Sequence, residues 1–351
     1  MTTISTHSGT RHNLGTSRAR RRCAAAVLAL TTALPVAAGC QEAVEPTTVR
    51  PGPTAFTASS SPGPTGDVTL LPGNASANAM ILANDGSLWV SERQVGGIAK
   101  VDPTGNVTQY KVPEQSDYPN DIVQGPDGTI WFISSSRIGF LDPSGEVMSG
   151  RSGYPQGLCV GPDGAIWYTT SSGQAPAIGR ADSARMSTVV VLPHGKFTFP
   201  DRGIATGPDH AVWFTQIGTQ PEPDGIGRVA ADGTYTSWPL PSRTSPQNIT
   251  AGPDGALWFT HKGGIGRITV NGDVSDFPVP QANPSHLISG PEDALWFTTD
   301  TRVGRLTPTG NLTLWPVPGA QDLSAIAAIP SGGFWLADRQ ADVIRRFVPS
   351  R

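Results

Sequence analysis

One repeating unit limits what this chain can fold into. Its clearest copy runs ITAGPDGALWFTHKGGIGRITVNGDVSDFPVP from Ile249 to Pro280. Gly252-Pro253-Asp254-Gly255 reads as a tight turn, because proline presets φ and glycine tolerates a positive value. The run Ala256 to Thr260 is aromatic and β-prone, Ile265 to Ile268 gives another short strand, and a turn at Asn271-Gly272 leads into a further strand, Val274 to Val279. With the short segment before the first turn, the unit has four strands. Such a unit cannot bury its own sheet faces, so copies must pack on one another as propeller blades do.

The copies follow in register. Tryptophans of the second strand fall at Trp89, Trp131, Trp167, Trp213, Trp258, Trp296 and Trp335, and third strands of the IGRI type start at Ile98, Ile138, Ile178, Ile226, Ile265, Val303 and Ile344. Fourth strands read VTQYKVP from Val107, YTSWPLP from Tyr235 and LTLWPVP from Leu312. The last copy ends after its third strand, whereas Val68 to Pro72 is an orphan fourth strand at the other end. The expectation is an all-β, seven-bladed propeller over residues 66–351, closed by the N-terminal strand completing the last blade, which leaves no open sheet edge. Composition agrees: 41 glycines and 33 prolines in 351 residues favour turns, and no stretch of the body keeps a helical period.

A net charge of −3 offers no electrostatic footprint for nucleic acid. Arg18, Arg20, Arg21 and Arg22 precede an apolar run from about Cys23 to Ala38, and Ala37-Ala38-Gly39 sets small residues before Cys40. Residues 1–39 therefore read as a signal peptide, with Cys40 as the lipidation site, although Ala37 departs from the usual branched residue there. Residues 40–65 are rich in proline, serine and threonine and suit a tether from a membrane surface. The expected product is an exported lipoprotein facing outward, with plain secretion as the alternative. Cys159 is the single cysteine of the body, so no disulfide framework is available there.

Residues at one repeat position form a ring about a propeller's axis. Three residues after each tryptophan stand Glu92, Ser134, Thr170, Gln216, His261, Thr299 and Asp338, and ahead of the turns stand Ala79, Asn120, Gln156, Arg202, Gln247, His286 and Ser324. Both rings are largely polar and vary while the scaffold repeats, which suits a binding face. Its candidates are Glu92, Asn120, Gln156, Arg202, Gln216, Gln247, His261 and Asp338. His286 in Pro284-Ser285-His286-Leu287-Ile288 is the candidate base. Glu92 and Asp338 belong to blades that become neighbours on ring closure, and two carboxylates together could hold a hard cation. The turn aspartates Asp127, Asp163 and Asp254 read as structural. Trp238 and Trp315, in fourth strands, read as lateral or packing residues. No phosphate loop, HExxH, nucleophile elbow or CxxC is present.

The unit GPDGALWFT…IGRI…G-x-V-x-x-F-x-V-P resembles the repeat of the virginiamycin B lyase (streptogramin lyase) family throughout the body. The resemblance implies a seven-bladed propeller that opens the ester of a cyclic peptide antibiotic by elimination, with a histidine base and magnesium held by glutamates, and hence a possible part in antibiotic resistance. His286 matches a family histidine of the sixth repeat. The last repeat departs: where the family carries an acidic residue, a proline and the base histidine, this chain has Gln321-Asp322-Leu323-Ser324-Ala325-Ile326, and after the tryptophan it offers Asp338 or Arg339. A missing base removes a factor of about 10²–10⁴ from proton abstraction. The favoured expectation is a monomeric, membrane-tethered propeller that binds a small molecule, a peptide or a cell-envelope partner on its central face. The alternative is a magnesium-dependent lyase.

Overall fold

The computed structural model describes residues 65–349 except 71–75, 113–117, 143–144, 152, 173–174, 183–186, 193–197, 220–221 and 242–243. The expected leader, Cys40 and nearly all of the tether lie outside the described residues. There are seven sheets of four antiparallel strands, with no helix among the described residues. In the fifth blade the strands are Ile249–Ala251, Leu257–His261, Gly264–Ile268 and Val274–Pro278. Each of the seven repeat tryptophans falls in the second strand of its sheet, as the spacing predicts. The seventh sheet consists of Leu323–Ala328, Phe334–Asp338 and Val343–Phe347, with Thr65–Leu70 paired antiparallel to the last of these. Leu71 and Pro72, the end of the expected orphan strand, lie outside the described residues.

Two sets of side chains hold each blade to its neighbours. Alternation along the second strand turns Trp258 toward the sixth blade and Leu257 and Phe259 toward the fourth. The same pattern gives one apolar cluster at each of the seven interfaces. In blades two to six, Phe132, Tyr168, Phe214, Phe259 and Phe297 pair in register with Gly139, Gly179, Gly227, Gly266 and Gly304 of the third strand. Each ring lies across its glycine, where a Cβ would overlap it. The glycine between isoleucine and arginine in IGRI is thus the floor of an aromatic pocket.

The turn aspartates clamp the tryptophans. In the fifth blade Trp258 Nε1 donates to Asp254 Oδ1 at 2.9 Å, and Arg267 Nε donates to Oδ2 at 2.6 Å while its guanidinium lies 5.8 Å from the indole centroid. Blades three and four repeat the clamp with Asp163, Trp167 and Arg180, and with Asp209, Trp213 and Arg228. Burial alone would raise these carboxyls, but the indole and guanidinium donors hold all three below the usual range. The fourth-strand tryptophans pack too: Trp238 stacks on Trp213 at 5.0 Å and Trp315 on Trp296 at 5.5 Å.

Gly266→Ala is expected to cost about 1–3 kcal/mol in urea unfolding, the range for overpacking a filled core. Gly150→Ala, where nothing lies within 4 Å of an added Cβ, should change stability by less than about 0.5 kcal/mol. Equal effects would refute the aromatic-on-glycine account.

Candidate functional site

The first strands of successive blades touch one another around the ring and so surround its axis. Side-chain hydroxyls stitch them together. Thr215 Oγ1 donates to the Gln247 carbonyl at 3.0 Å, Thr260 Oγ1 to Ser285 at 3.2 Å, and Ser324 Oγ to Ala77 at 2.7 Å. Carboxylate and amide oxygens cross the same gaps, with Asp121 Oδ2 accepting from Leu158 N at 3.1 Å and Asn248 Oδ1 from Leu287 N at 3.0 Å. Where these strands begin, a central cavity of about 230 Å³ opens.

Five of the residues expected on the binding face or as the base meet in this cavity: Asn120, Gln156, Arg202, Gln247 and His286. Sequence reasoning did not select Asn78, Asp121, Asn248 or Ser285, which also line it. Each stands next to a ring position, and that adjacency was the available signal. Asp322, Ser324 and Arg339 complete the wall on the side of the last blade.

Glu92, Gln216, His261 and Asp338 are absent from the cavity wall. Three residues is an odd step along a strand, so each shares the face of the residue that follows its tryptophan and lies between blades. Gln216 is buried against the Tyr235 hydroxyl, donating to it at 3.0 Å, and His261 Nε2 lies 2.7 Å from Asp276 Oδ1 on the fourth strand. Glu92 continues the face of Leu88 and Val90, which packs on the seventh blade, and Asp338 continues the face of Phe334 and Leu336, which packs on the sixth. A whole sheet thus separates the two carboxylates that the sequence suggested as a cation pair.

The buried titratable groups have distinct surroundings. His286 has its Nδ1 buried with no hydrogen-bond partner among the described residues, and burial lowers its pKa to about 4. It is therefore a neutral imidazole at neutral pH. Burial raises Asp121 to about 6 against the pull of the Leu158 and Ile122 N–H groups and of Arg202. Glu92 is fully buried, and its oxygens accept from Gln109 Nε2 at 3.2 and 3.3 Å. Burial, assisted by the charge of Asp342, raises it to about 7 despite that bond. Asp338, also fully buried, accepts from the backbone N–H groups of Gln321, Asp322 and Ala341 and from Arg345 Nη2 at 3.2 Å.

A ring of seven four-stranded blades around a polar cavity defines a seven-bladed β-propeller. The profile of the Virginiamycin B lyase family matches residues 31–242 and 200–350, and the chain belongs to that family. The crystal structure of the selenomethionine-substituted virginiamycin B lyase from Staphylococcus aureus is 26% identical, covers 80% of this chain and 98% of that one, and superposes with a TM-score of 0.72. A catalytically inactive histidine-to-alanine form of that enzyme with quinupristin matches equally, at 26% identity, 81% and 99% coverage and a TM-score of 0.72. YCF48 bound to D1 peptide, at 13% identity, 82% and 96% coverage and a TM-score of 0.62, shares the fold. Comparison with curated proteins gives no match.

Glu92 binds a proton more readily in the folded chain than in the unfolded one. Its contribution to stability is complete below about pH 4.5 and is lost as pH rises through about 7. Glu92→Gln should therefore match the wild type near pH 4 and exceed it by about 1–3 kcal/mol at pH 8. Urea unfolding at the two pH values checks this; a variant weaker than wild type at pH 8 would contradict it.

Proposed function

We propose that this chain is an exported propeller, anchored to the outer face of the cell membrane through a lipid on Cys40, that binds a small polar or peptide ligand in its central cavity without opening it. The observation that carries the reading is the cavity wall. Amides from Asn78, Asn120, Gln156, Gln247 and Asn248 converge there with the imidazole of His286. Such groups recognise carbonyl, hydroxyl and amide functions by hydrogen bonding. At about 230 Å³ the cavity suits a projecting group of a ligand lying across the mouth.

The alternative is a lyase that opens the ester of a cyclic peptide antibiotic by elimination. Family membership favours it, and a neutral His286 at the cavity could take a proton. Against it, the last-blade position where the family carries its base histidine is Ser324, whose hydroxyl is spent on the Ala77 carbonyl of the next blade.

Mass spectrometry of a streptogramin B antibiotic incubated with the full-length protein, with and without magnesium, separates the two readings. The expected outcome is unaltered antibiotic under both conditions. A ring-opened product of unchanged mass that disappears with His286→Ala would establish the lyase instead. For the anchor, Cys40→Ser should move the protein from the detergent phase to the aqueous phase in a phase-separation assay; an unchanged partition would overturn lipidation at that residue.

A further inference from the structure

The family resemblance implies magnesium, and the donor set at the cavity can be tested against it. A hard divalent cation requires several oxygen ligands free to converge. Among the described residues no group of three or more histidine, cysteine, aspartate or glutamate side chains is arranged to hold a metal ion. The carboxylates near the cavity are already engaged. Asp121 is held by the Ile122 and Leu158 N–H groups, and Asp338 lies between blades, held by three backbone N–H groups and Arg345. Asp322 faces the cavity, but Arg339 Nε donates to its Oδ2 at 2.8 Å and Nη2 lies 2.7 Å from the same oxygen. A third nitrogen, Nη1, reaches Asn78 Oδ1 at 3.5 Å across the blade junction. These residues do not fit magnesium.

We propose that Arg339 supplies the fixed positive charge of the central cavity in place of a divalent cation, so that ligand oxygens are received on guanidinium groups and the site works without metal. The residue after the last second strand decides this. Asp338 closes the strand and points between blades, while Arg339 is the first residue past it and turns to the axis. The family resemblance calls for an acid after this tryptophan, and the side chain that reaches the cavity is basic. Arg202, exposed on the opposite wall and in no ion pair among the described residues, is the second cation. Guanidinium is always charged and presents a planar set of donors to carboxylate or carbonyl oxygens. Two such groups offer N–H donors to the oxygens of a ligand, while Asp121 and Asp322 on the same wall balance their charge.

This inference rests on the ligand-binding reading, but its test needs no ligand. Manganese serves as the probe, titrated into full-length protein and followed by electron paramagnetic resonance of the free ion. Wild type and Arg339→Lys, which keeps the charge, should take up no stoichiometric manganese at micromolar concentration. Arg339→Gln should bind it at least about tenfold more tightly than wild type, because a unit charge a few ångström from the carboxylate has been removed. The added substitution Asp322→Asn should abolish that gain. Micromolar uptake of one manganese per wild-type chain, lost in Asp322→Asn, overturns the proposal, as does an Arg339→Gln variant that binds no tighter than wild type. Failure to find a ligand would leave these titrations unchanged.

Discussion

An aromatic ring resting on a glycine across a strand pair sets the spacing of this molecule. Phe259 over Gly266 fills a gap that any side chain on the third strand would close, and four other blades repeat the arrangement. The ring then meets the preceding blade while Trp258, on the other side of the same strand, meets the next. One strand therefore glues its blade on both sides, and its sequence cannot drift without loosening two interfaces. The Asp254–Trp258–Arg267 clamp adds orientation, since an indole fixed at Nε1 presents its face in one direction only.

Because both faces of every sheet are consumed by neighbours, no strand face remains for a ligand. What is left is the ring of strand ends at the axis. The residues there answer two demands at once: they must close the gaps between first strands and also leave polar atoms for whatever enters. Thr260, Asn248 and Asp121 meet the first demand through hydrogen bonds between blades. His286 and Arg202 line the cavity itself.

The same geometry explains how far the sequence could be read. The repeat carries fold, blade count and strand order in its turns and tryptophans, because those residues have one job in every copy. Asn120, Gln156, Arg202 and Gln247 were equally legible as a register of polar positions ahead of the turns, and the structure gathers them in one cavity with His286, which stands one place nearer its turn, in register with Asn248. The ring three residues after tryptophan was not legible in the same way. Its polarity suggested a wet mouth, yet Glu92, Gln216 and Asp338 are buried between blades, each satisfied by a specific partner. A polar residue at a strand end looks the same in sequence whether it faces water or a hydrogen-bond donor. Asp338 and Arg339 show how fine the distinction is, since adjacent residues part at the last strand position and only the second reaches the axis.

The first and last blades break the pattern of a ring on a glycine. Val90 stands opposite Ala99 and Leu336 opposite Arg345, so neither blade has a ring on a glycine. Both carry a buried carboxylate instead, Glu92 in one and Asp338 in the other. Arg345 occupies the register position of the missing glycine, and its guanidinium reaches Asp338. A buried carboxylate is tolerated only when donors surround it, and Asp338 has backbone donors on both oxygens and the Arg345 guanidinium on Oδ2. One residue further on, Arg339 repeats the logic at the cavity wall with Asp322. The blade that departs from the family's sequence thus replaces the ring on glycine with the Asp338–Arg345 pair, keeps its aromatic contact to the sixth blade through Phe334 and Trp296, and carries the Arg339–Asp322 pair one residue further on at the cavity wall.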